Sequence, residues 1–473
     1  MARDRLEESV GGQSDDRTES TATRSTEPTG ERSGAAVAHA ALVIVLDGEH
    51  VMDGGMLVPL AGVDTLTIGR GDKRALEVVA TRPKALKLTL PDRKVSSTHL
   101  SVRLVQRRVL VRDAGSTNGT FLEERKLENG EEVELPPFAA LRLGQTLLAF
   151  VPDANPTASP RSWPFPTSSG TFARELARLE RVARTTLPLI LLGETGSGKE
   201  VVARAVHERS GRPGACLAVN CAALPQQIVE AQLFGHVKGA FSGAIRDEPG
   251  FFRAADRGTL LLDEIGDLPG PSQAALLRTL QEGEVTPVGA FKPVKVDVRV
   301  IAATHQPLES MVEEGRFRAD LFARLSGFVF HLPPLRERRA DLGFLVAALL
   351  GRSALTVRVR AECVAALYRY GWPLNVRELD KVLTAAVHLS EDGLIRLEHL
   401  PQTLVAGGGL ILEGGHRGAP PPLLKDEDAA LKEELVRRLD ATGRNVSQVA
   451  REMGKARQQV QRWMRRFGLK EPG

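Results

Sequence analysis

The chain has 473 residues, too many for one hydrophobic core, so about two to four domains are expected. A net charge of +4 and a hydrophobic content of 42% are typical of a globular protein and exclude a strong overall positive field. Three cysteines cannot build a disulfide framework and no apolar run reaches the roughly 18 residues of a membrane helix, so a cytoplasmic protein without membrane spans is expected.

The first predicted elements are a tail and a set of short strands. Residues 1–36 are rich in Ser, Thr, Gly and charged residues and predict a disordered tail, because they carry too little apolar surface to offset the entropy of ordering. Residues 37–152 contain β-type segments separated by turns: ALVIVLDG, DTLTIGRG, ALKLTLPD, HLSVRLVQ, RVLVRDAG and EEVELP. Short strands at this regular spacing indicate an all-β sandwich.

Three small motifs stand at strand ends of this region: Gly69-Arg70, Ser96-Ser97-Thr98-His99 and Ser116-Thr117-Asn118-Gly119. Each alone is weak, since an Asn-Gly pair is usually only a hairpin turn. In this order they resemble a forkhead-associated (FHA) domain, a fold that binds phosphothreonine peptides through loops at one end of a sandwich. The resemblance implies a phosphopeptide site at Arg70, Ser96, Ser97, Thr117 and Asn118.

The chemistry of these side chains is consistent with that site. Arg70 supplies charge-assisted hydrogen bonds to phosphate, and Asn118 can bind the peptide backbone. His99 is expected to brace the loops rather than to contact ligand. Ser97 departs from the basic or amide residue common in the family, which puts affinity and selectivity in question. The alternative is a sandwich that packs on the rest of its own chain and no longer binds phosphate.

A Pro- and Ser-rich segment, 153–170, predicts a linker to the next domain. From residue 171 to about 405, helical patterns alternate with the buried strands LPLILLG, GTLLLDE and VDVRVIAAT. This alternation predicts a parallel α/β domain to about residue 335 and a helical lid after it. Residues 406–424 predict a second linker, and residues 425–473 a short all-α domain.

The segment LPLILLGETGSGKE predicts a strand, a Gly-rich turn and the start of a helix. Such a turn lets backbone N–H groups approach phosphate oxygens, and Lys199 would contact the β- and γ-phosphates. Glu200 stands where the general motif has Ser or Thr to hold magnesium, so a chance Gly-rich turn is the alternative for this segment alone. The predicted ATP-binding residues here are Gly193, Glu194, Thr195, Gly196, Ser197, Gly198, Lys199 and Glu200.

The strand GTLLLDEIGDLP ends in two acids and supports the nucleotide interpretation. Asp263 can hold Mg²⁺ and Glu264 can activate the attacking water, whereas unpartnered acids at the end of a buried strand would be costly. The strand VDVRVIAATH ends in Thr304 and His305, whose polar side chains are predicted to sense the γ-phosphate.

Two further segments are open to more than one interpretation. In GRFRADLFARL, Arg318 and Arg324 form either a solvated basic face or arginine fingers that act in a neighbouring subunit. In QLFGHVKGAFSGA, Phe241 lies among small residues without a charge inside GAFSGA. Such a loop neither packs well into a hydrophobic core nor favours exposure to water, so its residues alone leave its role open.

Taken in chain order, the motifs resemble one family. GETGSGKE, NCAAL, QLFGHVKGAFSGA, GTLLLDEIGDLP, RVIAATH, GRFRADLFARL, LPPLRERRADL and WPLNVREL are similar to the AAA+ domain of sigma-54-dependent transcription activators, over about half the chain. The P-loop Lys of that family is followed by Glu, so Glu200 fits. The resemblance implies a hexameric ring that binds ATP and Mg²⁺ between subunits.

The resemblance also implies roles for single residues. Asn220 pairs with Glu264 and holds it inactive until the γ-phosphate is in place, and Arg377 senses the nucleotide from the lid. The implied sigma-54 contacts are Gly239, Ala240, Phe241, Ser242, Gly243 and Ala244.

Three positions depart from the family pattern. Ser242 replaces Thr and keeps the hydroxyl, and His305 stands where Asn is common. Leu374 replaces the Gly of a WPGNVREL turn, and it would be strained if that turn needs a positive φ.

The C-terminal segment NVSQVAREMGKARQQVQRWMRRFGLK predicts a helix-turn-helix, with an apolar stripe at Val460, Trp463, Met464 and Phe467. The basic and amide residues off that stripe either form a solvated face or contact DNA. The segment resembles the Fis-type helix-turn-helix of the same activators, which binds enhancer DNA as a dimer. The predicted DNA-binding residues are Arg457, Gln458, Gln461, Arg462 and Arg465.

The expected function is therefore a sigma-54-dependent transcriptional regulator. An ATPase ring on enhancer DNA would remodel sigma-54 RNA polymerase, and a phosphothreonine peptide or a Ser/Thr kinase would provide the input. One alternative is a phosphopeptide-dependent DNA-binding adaptor or repressor without remodelling activity. Another is a general AAA+ remodeller of a different client, which would not need the GAFSGA loop.

Overall fold

The structure is a computed structural model that describes residues 39–106, 108–158, 162–351, 356–406, 438, 448–450 and 453. The chain divides into two compact units, Met1–Ile411 and Leu412–Gly473. The predicted tail and the predicted DNA-binding residues lie outside the described residues. Among the helices that the structure describes, none has the length and apolar character needed to cross a bilayer.

The N-terminal domain is a sandwich of two six-stranded sheets. Its strands are β1 (Ala41–Asp47), β2 (Met56–Pro59), β3 (Thr65–Arg70), β4 (Ala75–Thr81), β5 (Lys84–Leu90), β6 (Leu100–Val105), β7 (Arg108–Asp113), β8 (Thr120–Leu122), β9 (Arg125–Lys126), β10 (Glu132–Glu134), β11 (Leu141–Leu143) and β12 (Thr146–Val151). One sheet has the order β2-β1-β12-β11-β8-β9 and the other β10-β7-β6-β3-β5-β4. The predicted all-β sandwich is confirmed.

The inner strands of the first sheet are buried on both faces. In β1 and β12 every residue is buried. Leu42, Ile44 and Leu148 belong to the core between the two sheets. Val43 and Leu147 point the opposite way and pack against a second layer, so these strands lack the polar alternation of a solvated sheet.

The α/β domain is built on a five-stranded parallel sheet of order β14-β15-β18-β13-β19. Its strands are β13 (Leu189–Leu192), β14 (Cys216–Asn220), β15 (Thr259–Asp263), β18 (Arg299–Thr304) and β19 (Phe328–His331), and the hairpin strands are β16 (Glu284–Val285) and β17 (Val294–Lys295). Ile190 packs on one face of the sheet, and Leu189 and Leu191 pack on the other. This parallel sheet, with helices on its faces, is the predicted fold.

The helices of this domain are α1 (Gly170–Ala183), α2 (Lys199–Ser210), α3 (Val229–Phe234), α4 (Gly250–Ala254), α5 (Gly270–Glu282), α6 (Leu308–Glu313) and α7 (Ala319–Leu325). Residues 335–351 and 356–406 form the helical lid, with α8 (Leu342–Leu350), α9 (Ala361–Arg369), α10 (Asn375–Leu389) and α11 (Gln402–Ala406), and with strands β20 (Arg358–Val359) and β21 (Leu394–Ile395).

The second layer on the sandwich is this lid. One hydrophobic cluster contains sandwich residues such as Val43 and Leu147 together with lid residues such as Leu345 and Trp372. The Gln145 side chain accepts a hydrogen bond of 2.6 Å from the Ala361 amide. The sandwich and the lid therefore share one core.

The connection between sandwich and α/β domain is also packed. Asn155 donates to the Thr167 carbonyl at 3.1 Å. The fully buried Asp341 of the lid accepts from the Thr167 hydroxyl at 2.8 Å and from the Ser168 hydroxyl at 2.6 Å. Burial raises the pKa of the Asp341 carboxyl, and these hydrogen bonds oppose the rise. The predicted linker is thus not a free spacer in its described residues.

Candidate nucleotide and phosphopeptide sites

The Gly-rich turn connects β13 to α2 as predicted. Gly196 and Gly198 have φ values of 76° and 109°, which a side chain would strain. Lys199 is the first residue of α2, and its Nζ donates to the Gly193 carbonyl at 2.8 Å. Burial lowers the pKa of the Lys199 ammonium, while the nearby carboxylates of Glu264 and Asp263 raise it. A buried cation at the start of a helix fits an anionic phosphate.

The two predicted acids face this lysine. Asp263 ends β15, and Glu264 follows it with a left-handed φ of 53°. The Glu264 Oε1 atom lies 4.0 Å from the Lys199 Nζ atom. Burial raises the pKa of the Asp263 carboxyl, and the Lys199 charge opposes the rise. The carboxyl end of the sheet therefore places a cation and two acids around one space.

The neighbouring strand contacts the second acid. The Thr304 hydroxyl donates to Glu264 Oε2 at 3.2 Å, and His305 Nδ1 lies 2.8 Å from the same oxygen. Asn220 instead caps the following turn by accepting from the Ala222 amide at 3.0 Å. The implied pairing of Asn220 with Glu264 is therefore not present, because Thr304 and His305 hold that carboxylate.

The lid supplies a second cation. The Arg377 amide donates to the Gly196 carbonyl at 3.3 Å, and the Arg377 charge contributes to the lowered pKa of Lys199. Glu200 is turned to the surface, where its carboxylate pairs with Arg204 at 2.8 Å. Glu200 therefore does not take the place of a hydroxyl ligand for magnesium.

The predicted arginine fingers lie apart from this space in the described chain. Arg318 pairs with Asp320 at 2.7 Å, and both side chains are about half exposed. Arg324 donates to the Leu280 carbonyl at 2.8 Å. Both arginines lie at helix α7, which packs on α5, and neither contacts Lys199 or Glu264.

The GAFSGA loop follows α3. It is closed by hydrogen bonds from the Gly239 amide to the Ala244 carbonyl and from the Ala244 amide to the Phe241 carbonyl, at 2.9 and 3.0 Å. The Phe241 ring lies 5.0 Å from the His236 ring and is 37% exposed. Phe241 therefore folds back on the domain and lines a groove of about 640 Å³ beside Ile245 and Phe251.

Leu374 is accommodated without strain. Its φ is −106°, while the positive φ values of this turn belong to Trp372 and Asn375. Strain at Leu374 is expected only if the turn needs a positive φ at this position. The turn instead has its left-handed residues on either side of Leu374, so that condition is not met. The Leu374 side chain is half exposed.

The loops at one end of the sandwich bring the predicted phosphopeptide residues together. The Arg70 amide donates to the Ser96 carbonyl at 2.9 Å, and the Ser96 hydroxyl accepts from the Thr117 amide at 3.1 Å. The Asn118 side chain donates to the Lys94 carbonyl at 2.8 Å. Of the predicted residues, Arg70, Ser97, Thr117 and Asn118 are exposed and Ser96 is half buried.

His99 braces these loops, as expected. It is buried, its Nδ1 accepts from the Ser96 amide at 3.0 Å, and its Nε2 lies 3.3 Å from the Gly119 carbonyl. Burial lowers the pKa of the His99 imidazole. The sandwich does pack on its own chain, chiefly through β1, β12 and Gln145, and Arg70, Ser97, Thr117 and Asn118 stay exposed.

Comparison with known families identifies the domains. A model described as "Sigma-54 interaction domain" matches residues 166–331, an "AAA+ ATPase lid domain" matches residues 336–409, and an "FHA domain" matches residues 66–144. The central domain is a sigma-54 interaction domain. Together with its lid it is an AAA+ ATPase, as predicted, and the sandwich is an FHA domain.

The curated relatives of this chain include regulatory proteins. The acetoin catabolism regulatory protein of Cupriavidus necator is 44% identical over 309 residues, which cover 63% of this chain and 46% of that protein. The Nif-specific regulatory protein of Azotobacter vinelandii is 40% identical over 297 residues, which cover 61% and 56%. The chain thus spans about half the length of these relatives.

Among solved structures, NtrX from Brucella abortus in complex with ADP is 31% identical. The match covers 64% of this chain and 69% of that one, with a TM-score of 0.47.

The sigma-54 interaction domain also has contacts that the sequence did not reveal. Arg336 and Asn375, both in the lid, hydrogen-bond to Glu194 of the P-loop. Both residues lie in the motifs LPPLRERRADL and WPLNVREL, but their pairing with a residue more than 140 positions away is not visible in a one-dimensional pattern.

Proposed function

We propose that the chain is a sigma-54-dependent transcriptional regulator that hydrolyses ATP in a hexameric ring to remodel sigma-54 RNA polymerase. The observation that carries the proposal is the convergence of Lys199, Asp263, Glu264 and Arg377 around one space, in a domain that also carries the GAFSGA loop. An adaptor or repressor without remodelling activity would need neither the acids nor the loop.

Each residue has a role in hydrolysis. Lys199 and the P-loop amides bind the phosphates, and Glu264 orients and activates the attacking water. Thr304 and His305 hold the Glu264 carboxylate and would release it toward the water when the γ-phosphate offers them another partner. Asn220, which caps its own turn, has no contact that would give it this role in the present arrangement.

Magnesium fits the donor set of the site. Mg²⁺ in nucleotide sites takes one or two carboxylates together with phosphate oxygens and water. Asp263 provides such a carboxylate beside Lys199, and its raised pKa reflects a buried position that a cation would stabilise. The ion would neutralise charge on the phosphates.

A neighbouring subunit would complete the site. Arg318 and Arg324 lie apart from Lys199 and Glu264 of their own chain, at helix α7, where they contact Asp320 and the Leu280 carbonyl. We infer that they serve as arginine fingers in trans, because the pairing of Arg318 with Asp320 is exposed and thus weak enough to exchange for phosphate. The predicted enhancer-DNA contacts would come from the C-terminal helices.

The FHA domain would provide the signal input in the cytoplasm. Arg70, Ser96 and Asn118 lie together at an open end of the sandwich, which supports recognition of a phosphothreonine peptide, from a Ser/Thr kinase or one of its substrates. The same domain packs on the ATPase lid through β1, β12 and the adjacent Gln145, so a bound peptide would act on a domain in direct contact with the lid.

Two substitutions test the proposal together. Glu264→Gln should keep ATP binding and ring assembly and stop hydrolysis, because the general base is lost. Phe241→Ala should keep hydrolysis and abolish retention of sigma-54 in the presence of a transition-state nucleotide analogue, because the apolar contact is removed. Leu389→Ala, which truncates an exposed apolar side chain in the lid, is the control and should change neither property.

Each of three results would contradict a part of the proposal. Hydrolysis at the wild-type rate in Glu264→Gln would reject the catalytic assignment. Unchanged sigma-54 retention in Phe241→Ala would reject the loop as the contact, and lost hydrolysis with kept retention would give the loop a structural role.

A further inference from the structure

Four consecutive P-loop residues are held by the lid. Arg336 donates two hydrogen bonds to the Glu194 carboxylate, at 2.8 and 2.6 Å. The Asn375 side chain donates to Glu194 and to the Thr195 carbonyl, each at 3.1 Å. The Gly196 carbonyl accepts from the Val376 amide at 3.0 Å, and the Ser197 carbonyl accepts from Arg338 at 3.0 Å. These contacts are called the P-loop clasp below.

Glu194 is the one side chain of the P-loop that takes part in the clasp. The hydrogen bonds from Arg336 hold the pKa of the Glu194 carboxyl below its usual value. A planar guanidinium that binds both carboxylate oxygens fixes orientation as well as distance. The two side chains are 37% and 40% exposed, so the main effect of the pair is geometric rather than a large gain in stability.

Asn375 transmits this geometry to the helix that carries Arg377. It is fully buried, has a left-handed φ of 55°, and accepts from the Leu335 amide at 2.7 Å. Asn tolerates this conformation better than most residues, but surrounding contacts must maintain it. Asn375 starts α10, and Arg377 lies two residues further in the first turn. The contacts of Asn375 therefore fix the backbone position from which the Arg377 side chain extends.

We propose that Glu194, through Arg336 and Asn375, is a positioning residue that sets Arg377 against the γ-phosphate of ATP. The inference rests on the proposed role of Arg377 as the lid sensor. In this assignment the Glu194 carboxylate contacts two lid side chains and no phosphate. It affects hydrolysis by positioning α10. The P-loop and the sensor arginine are thereby aligned before nucleotide binds.

The test is a double-mutant cycle on the full chain with Glu194→Ala, Arg377→Ala and the double variant. Because hydrogen bonds to a charged group each contribute on the order of tenfold to an equilibrium, Glu194→Ala should lower kcat for ATP hydrolysis about tenfold. In the Arg377→Ala background the same change should have no further effect, because the residue that it positions is already absent. Arg336→Lys keeps the positive charge and loses the planar guanidinium that binds both carboxylate oxygens. Its kcat for ATP hydrolysis should lie between those of wild type and Glu194→Ala.

Binding of ADP separates positioning from a damaged P-loop. ADP lacks the γ-phosphate, so its affinity should stay within about twofold of wild type in Glu194→Ala, whereas a distorted P-loop would weaken ADP as well. Glu282→Gln removes a comparable surface pairing, with Arg278 on α5, and should leave kcat unchanged.

The outcomes are distinguishable. If Glu194→Ala lowers kcat by the same factor with and without Arg377, or weakens ADP binding strongly, Glu194 acts on the P-loop itself and the inference is overturned. If Glu194→Ala leaves kcat unchanged, the clasp has no role in hydrolysis. If Arg377→Ala alone has no effect, the sensor role of Arg377 fails, while the assignment of Glu264 stands on its own test.

Discussion

Replacing Leu147 with Ala measures the core that the FHA domain shares with the lid. Leu147 is fully buried, and its side chain points away from the core between the two sheets. In a free-standing sandwich this position would face solvent, and truncation would change the free energy of unfolding by less than about 0.5 kcal/mol. Buried against the lid, the same truncation leaves a cavity and should cost about 2–5 kcal/mol.

The neighbouring residue provides a matched control. Leu148 is equally buried but lies in the core between the sheets, so Leu148→Ala should cost about 2–5 kcal/mol whatever the lid does. Unfolding in urea can be followed by tryptophan fluorescence, since Trp372 is buried in the shared core. The two variants should lower the midpoint by similar amounts at an unchanged slope. A marked decrease in the unfolding midpoint for Leu148→Ala, with almost no decrease for Leu147→Ala, would refute the shared core.

Two further predictions concern single positions. Arg70→Ala should weaken binding of a phosphothreonine peptide about 10- to 100-fold in an anisotropy titration, because it removes charge-assisted hydrogen bonds. The unphosphorylated peptide is the control. Equally tight binding of the phosphopeptide by Arg70→Ala would exclude a phosphate contact at Arg70. Leu374→Gly should lower the free energy of unfolding by about 0.4–1 kcal/mol in urea, because φ is already negative and Gly adds only freedom to the unfolded chain. An increase in stability would reveal strain at Leu374 after all.

The sequence predicted the elements that carry a strong periodic signal. The segments for β3, β5 and β6 alternate or are bounded by turn residues, and the strands around the P-loop and the acids are short apolar runs that end in polar residues. By contrast, β9 has only two residues and β8 three, so they carry no pattern to detect. The strand β12 is buried throughout and apolar after Thr146 because it is covered on both faces, and the cover of one face comes from lid residues about 200 positions away.

In the candidate site, too, some residues could be placed from the sequence and others could not. Lys199, Asp263 and Thr304 could be placed because each lies at the carboxyl end of a parallel strand or in the turn that follows it, where the sheet forces them together. The partner of Glu264 could not be placed in this way, since Asn220, Thr304 and His305 all lie at or just after the carboxyl ends of neighbouring strands. Side-chain geometry decided between them, and it favoured Thr304 and His305.

The shared core gives the FHA domain an influence on the lid that requires no change in the conformation of the sandwich. A ligand that binds only the folded sandwich adds stability by mass action, about 2.7 kcal/mol when its concentration is 100 times Kd. Because β1 and β12 form one wall of the core against which α8 and α9 pack, the lid cannot keep that core without the sandwich, and part of the added stability extends to the lid. Occupancy of the loops at Arg70 would therefore set how often the lid opens, and the lifetime of the nucleotide beneath it would follow.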